Sequence, residues 1–289
     1  MTADGSAPLA ARRLRVVHRT GFQYERPVAA SYNEARISPV STGRQTVLDA
    51  QVEVAPVTST YAYRDYWGTQ VTSFDVLVPH DELVVTSSCV VEVHPTRPGG
   101  PGLDWAGLAD RRVTDPMAEY LAQTPRTDPP DPVRELAAEC AATLPPGQAA
   151  VRICEQIRAR MDYRQGVTEV HTGAAEAWSA GMGVCQDFAH LSLGALRSVG
   201  IPARYVSGYL HPRAQAPVGE VVEGQSHAWV EWFVGDWTGY DPTAVALVDV
   251  DHVLVARGRE YTDVTPLKGV FAGPSRSTLF VSVEVTRLA

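Results

Sequence analysis

Cys185 follows the run Gly181-Met182-Gly183-Val184 and opens a segment with helical spacing. A thiolate is the reactive form of cysteine, and the unpaired N–H groups and dipole at a helix start favour negative charge. The glycines let backbone approach a substrate carbonyl, and the Cys185 N–H becomes available as an oxyanion donor. A thiol nucleophile also needs a proton acceptor steered by a third group. His227, opening the run His227-Ala228-Trp229-Val230-Glu231, suits the acceptor role. Asp241, in Tyr240-Asp241-Pro242-Thr243, suits the orienting one. The candidate catalytic set is therefore Cys185, His227 and Asp241, and its chemistry is acyl transfer.

The pleat sets a condition on this set. A two-residue turn at Gly235-Asp236 would pair Asp241 with Val230, and paired residues share a face, whereas His227 lies an odd step from Val230. The two side chains would then point apart. The sequence thus predicts a β-bulge or an odd-length loop between Val234 and Trp237.

The elements that must position these residues read as an α+β fold. Phe188, Leu191, Ala195, Leu196 and Val199 form the apolar face of the Cys185 helix, which Gly200 and Pro202 end. Strands are expected at Ile201 to Leu210, His227 to Val234 and Trp237 to Asp241. Helices are expected at Val133 to Thr143 and Gln148 to Met161, the second with Val151, Cys154, Ile157 and Met161 on one face. Alternation at Leu14 to His18, Val47 to Val54, Val71 to Leu77 and Leu83 to Val93 predicts an antiparallel, sandwich-like β domain. Pro95 to Pro101 and Thr124 to Pro132 read as connectors. The expected division is an N-terminal β domain over 12–95, a linker over 96–132, and a core with a catalytic helix packed on antiparallel sheet over 133–289.

A chain of 289 residues with 45% hydrophobic and 20% charged residues can bury a substantial core. Its net charge of -8 and lack of any basic run argue against a nucleic-acid partner. No apolar stretch is long enough to span a bilayer, and Met1 to Arg15 lack a continuous apolar signal region, so no membrane partner and a cytoplasmic location are expected. Cys89, Cys140 and Cys154 lie in apolar patterns and read as buried thiols. No histidine pair has a zinc-motif spacing, and Asp249, Asp251 and Asp263 do not form a calcium loop, so no metal site is assigned. Asp187 reads equally as a helix cap or an active-site group. His171 and His190 read as packing or supporting residues. Trp178 and Gln186 read as wall, oxyanion or core groups, and Arg257 and Arg259 as carboxylate binders or salt-bridge partners.

Three ordered motifs carry a resemblance. They are Gly183-Val184-Cys185-Gln186-Asp187-Phe188-Ala189-His190 with Gly200-Ile201-Pro202-Ala203-Arg204-Tyr205-Val206-Ser207-Gly208-Tyr209, then His227-Ala228-Trp229-Val230-Glu231, then Asp241-Pro242-Thr243. Together they resemble the transglutaminase-like core of bacterial proteins. Pro27-Val28, Pro39 and Asp65 to Gly68 are similar to the N-terminal region that accompanies that core. Val255 to Val264 is similar to its tail, with Glu260 where Asp is more usual. The resemblance implies a papain-like core, a Cys/His/Asp triad and no cofactor.

The expected function is acyl transfer on a peptide or protein amide through a thioester on Cys185, ending in transamidation or hydrolysis. A cysteine protease or amidase acting on peptides is the alternative within that class. A non-enzymatic binding module on the same fold is the alternative outside it. The sequence leaves the oligomeric state open.

Overall fold

Strict alternation builds the N-terminal strands. In β6 (His80–Val93), Leu83, Val85, Ser87, Cys89, Val91 and Val93 are buried and the residues between them are more open, the period of a pleated strand. The computed structural model describes residues 10–96, 100, 102–167, 171–213 and 215–289. Residues 1–9, which hold most of the segment read for a signal, lie outside the described residues, as does most of the Pro95–Pro101 connector.

β6 pairs antiparallel with β1 (Arg12–Val28) and with β3 (Gln45–Ala55). A second sheet holds β2 (Ala30–Ala35), β4 (Thr60–Arg64) and β5 (Gln70–Val76). Val28, Leu83 and Val85 of the first sheet pack against Phe74 and Val76 of the second, so the apolar faces close on each other.

The segment 96–132 carries three short helices, α1 (Trp105–Leu108), α2 (Arg111–Thr114) and α3 (Ala118–Leu121). Asp104 and Asp110 cap the first two by accepting from Gly107 N and Arg112 N. Four-residue helices show too little periodicity to stand out in sequence. α4 (Asp131–Thr143) and α5 (Pro146–Arg158) follow, each with Pro in its first turn, where a missing N–H costs nothing. The buried face of α5 is Ala149, Ala150, Ile153, Cys154 and Ile157, with Val151 only partly covered. Next come β7 (Asp162–Tyr163), α6 (Ala174–Ala180) and β8 (Met182–Gly183).

α7 (Cys185–Ser198) is buried from Gln186 to Arg197 rather than on one face. Small residues on its other faces, Ala189, Ser192, Gly194 and Ala195, let α4 and α5 pack on one side and the sheet on the other, as in a central helix. That sheet contains β9 (Ala203–Leu210), β10 (Val221–Phe233), β11 (Trp237–Asp241), β12 (Ala246–Leu247) and β13 (His252–Gly258).

The last strands return to the start of the chain. β14 (Leu267–Ala272) pairs with β2, while β15 (Ser277–Arg287) pairs with β1 along its length and with β10 at Val221 to Gly224. Among the described residues one sheet therefore runs β12-β11-β10-β15-β1-β6-β3, joining the strands of the core to those of the N-terminal region. The physical reason is the length of β1. It continues to Val28 rather than stopping near His18, and its second edge needs backbone partners that β15 supplies. Among the described residues no helix is long and apolar enough to cross a membrane.

Candidate active site

Cys185 is the first residue of α7, and Val184 is its N-cap. The Asp187 carboxylate turns back and accepts from Val184 N at 2.8 Å, so Asp187 serves as the helix cap. This arrangement needs glycine at 183. A Cβ there would sit 2.6 Å from Asp187 Oδ2, closer than atoms pack. Gly183 therefore admits the capping carboxylate, a role distinct from the substrate approach expected from sequence.

The β10–β11 hairpin meets the pleat condition with an odd loop. Phe233 pairs with Trp237 and Val230 with Tyr240, leaving the three residues Val234, Gly235 and Asp236 in the loop. Gly235 takes φ +109°, a conformation that excludes most side chains. In this register Asp241 falls opposite Trp229 and shares a face with His227 two residues on. His227 Nε2 lies 2.7 Å from Asp241 Oδ2, and the two side chains are 9% and 1% exposed.

The Asp-Pro-Thr turn clamps the carboxylate as well. Asp241 Oδ1 accepts from Thr243 N at 2.8 Å and Ala244 N at 3.2 Å. Burial alone would raise the Asp241 pKa, but the hydrogen bond from His227, the nearby His252 ring and the attraction of both hold it well below the usual carboxylate range. For His227, burial opposes the charged form. Hydrogen bonding to Asp241 and to Cys185, with the attraction of both, outweighs burial and raises its pKa to about 10. With Nε2 engaged by Asp241, Nδ1 is the ring nitrogen left for the sulfur.

Cys185 and His227 line one cleft of about 550 Å³, together with Val184, Gln186, Tyr163, Ser226 and Tyr205. Cys185 is partly exposed there, whereas Cys89, Cys140 and Cys154 are buried. Burial pushes the Cys89 and Cys154 thiols up to about 12, which leaves them protonated.

His252 was not singled out in the sequence. Its Nδ1 accepts from Asp249 N at 3.4 Å, which puts the ring proton on Nε2, and Nε2 lies 3.6 Å from Asp241 Oδ2. Trp229 packs edge-on against the ring, with centroids 5.3 Å apart. Eleven residues and the β12 turn separate His252 from Asp241, so spacing gave no signal; the pairing is made by the fold. His227, Asp241 and His252 have donor atoms within 4.8 Å of one another, the one such trio among the described residues. The short His227–Asp241 hydrogen bond occupies the space an ion would need, and both ring N–H groups aimed at Oδ2 would have to be removed for coordination.

The remaining candidates resolve into supporting roles. His190 is fully buried, accepts from Tyr261 N at 3.3 Å, and is kept neutral by burial, with its pKa lowered to about 3. Arg257 and Arg204 both bind Glu231, at 2.8 and 2.7 Å, and Arg259 binds Asp263 at 3.1 Å. Asp251 pairs with Arg12, and Asp249 accepts from Thr96 N. These acids are spread over separate partners and do not converge. Trp178 packs on the main core, and Gln186 lines the cleft. His171 contacts the Arg126 guanidinium, 3.1 Å from it.

Cys185, at a helix start, thus shares a cleft with a histidine held by a carboxylate. Residues 14–92 match the bacterial transglutaminase-like N-terminal region, and residues 134–242 match the transglutaminase-like superfamily. An uncharacterized protein of Mycobacterium leprae is 47% identical over 277 residues, covering 96% of this chain and 99% of that protein. An uncharacterized protein of Mycobacterium tuberculosis is 34% identical over 309 residues, covering 99% and 97%. The crystal structure described as "a Putative Cysteine Protease from Cytophaga hutchinsonii" aligns with a TM-score of 0.76 at 20% identity, covering 98% of this chain and 93% of that one. The chain belongs to the bacterial transglutaminase-like superfamily.

Proposed function

We propose that this protein is a cysteine-dependent acyltransferase or peptidase acting on peptide or protein amides. The observation that carries the reading is the convergence of Cys185, His227 and Asp241, with Cys185 and His227 lining the cleft and Asp241 bonded behind the imidazole. Cys185 Sγ attacks the amide carbonyl and a sulfur–carbon bond forms. The imidazole then gives its proton to the leaving nitrogen as the carbon–nitrogen bond breaks, leaving a thioester. The developing oxyanion lies near the Cys185 N–H, which has no intrahelical acceptor in the first turn of α7. A primary amine or water, deprotonated by His227, attacks the thioester and releases the thiol. Asp241 holds the ring's orientation and stabilises its charged form throughout.

The family and the described likeness of the Cytophaga hutchinsonii protein support a cysteine-type reaction in general. Four unpaired cysteines suit a reducing compartment, in keeping with a cytoplasmic location. The test is turnover of a peptide mixture with and without an added primary amine, analysed by mass spectrometry. Amine-dependent mass shifts indicate transamidation, and amine-independent cleavage or deamidation indicates hydrolysis. Products that persist in Cys185→Ala contradict the role of Cys185, and no products at all contradict the proposal and favour a binding module.

A further inference from the structure

The cleft that holds Cys185 has a second wall, supplied by the strands at the two ends of the chain. Along β15, Val285, Val283, Val281 and Leu279 project from one face at alternate positions. Val285 and Val283 are 1% and 3% exposed and belong to the main core. Val281 and Leu279 are 50% and 51% exposed, and they line the cleft. The row that closes the core thus continues uncovered where the nucleophile lies. Thr20 and His18 of β1, in register with Val281 and Val283, complete this wall. His18 donates to the Tyr209 hydroxyl, which donates onward to Ile37 O, and burial keeps its ring neutral, with the pKa lowered to about 4.

The same stretch has an open backbone edge. β10 pairs with β15 only from Val283 to Thr286, so Ser277 to Ser282 have β1 on one side and no strand on the other among the described residues. Exposed edges are commonly guarded by charge or proline, and Ser277-Thr278-Leu279-Phe280-Val281-Ser282 contains neither. Among the described residues, and apart from the catalytic pair, Glu223 is the one charged side chain lining the cleft, and no Lys or Arg lines it.

We propose that β15 is the acyl-donor subsite: an extended peptide lies along Leu279 to Ser282, places an apolar side chain against Leu279 and Val281, and carries no acidic side chain beside it. Edge addition supplies backbone hydrogen bonds, the apolar row supplies side-chain selection, and Glu223 repels acidic neighbours. This assignment rests on the acyl-transfer reading and gives the N-terminal strands a part in choosing the substrate.

The test uses acetylated glutamine peptides that differ only in the flanking residue, Leu, Ser, Lys or Asp, with ammonia release and backbone cleavage both read out. The Leu peptide should have the highest kcat/KM and the Asp peptide the lowest. Val281→Asp and Leu279→Asp should lower kcat/KM for the Leu peptide by about tenfold or more, the scale of a lost apolar pocket contact. Val270→Asp, 68% exposed on β14 and away from the cleft, should leave it unchanged. Alkylation of Cys185 by iodoacetamide reports whether each variant retains a folded site. Equal kcat/KM for the Leu and Asp peptides in the unsubstituted protein overturns the subsite, as does a wild-type value in both β15 variants. Failure of every peptide to react overturns the acyl-transfer reading, and the subsite with it.

Discussion

His227 and Asp241 face each other because three residues, not two, separate Phe233 from Trp237. The loop is far from the cleft in sequence terms, yet it sets the parity that decides whether the imidazole has a carboxylate behind it. Replacing Gly235-Asp236 by Asn-Gly, a pair that favours a two-residue turn, should pair Val234 with Trp237, slip the register by one, and turn Asp241 to the opposite face. The turn variant and Asp241→Asn should each lower kcat/KM by about 10³–10⁴-fold, the scale seen when a triad loses its orienting carboxylate. Circular dichroism checks that both variants keep their fold. An Asn-Gly turn variant with wild-type kcat/KM would show that parity does not govern the site.

His252 contacts the same carboxylate oxygen from the other side, 3.6 Å away. A leucine there removes the second N–H donor, whereas glutamine can still supply one from its side-chain amide. His252→Leu should slow Cys185 alkylation at neutral pH about fivefold to thirtyfold, as expected for losing ~1–2 kcal/mol of electrostatic support from the ring 3.6 Å from the carboxylate, and His252→Gln should recover most of it. Equal alkylation rates in both variants and the unsubstituted protein would limit His252 to packing on Trp229.

Stability should peak near pH 6.5, from opposite histidine effects. The His227 pKa is raised from 6.5 to about 10, so its contribution is full below pH 6.5 and is lost as pH rises toward 10. His18 and His190 are lowered to about 4 and about 3, so their unfolded forms take up protons first and stability falls as pH drops below 6.5. The slope is at most ~1.4 kcal/mol per pH unit for each group. Melting temperature measured across this range should show the maximum, and His227→Gln should flatten only the alkaline limb. An alkaline limb unchanged in that variant would remove the His227 ion pair from the folded state.

Much of this site was legible before the fold was known, for reasons that differ by residue. Cys185 declares itself through its glycine-rich approach and the helical spacing after it, and His227 and Asp241 through short runs that close adjacent strands. The pleat arithmetic even required an odd loop, which Val234-Gly235-Asp236 provides. His252 was invisible because its link to Asp241 is made across strands, with no motif to mark it. The second wall of the cleft was hidden for a similar reason: β15 reaches Cys185 by pairing with β1, some 260 residues earlier in the chain, and with the start of β10. Long-range strand pairing leaves alternation in each strand but no mark of its partner.

The most direct measurement is the intact mass of the protein after incubation with a reactive peptide substrate and acid quenching, followed by mapping of any adduct. An acyl adduct on Cys185, labile to hydroxylamine, absent in Cys185→Ala and strongly reduced in His227→Ala, is the result expected. Substrate turnover with no adduct on Cys185, or an adduct that forms equally well without His227, would contradict it.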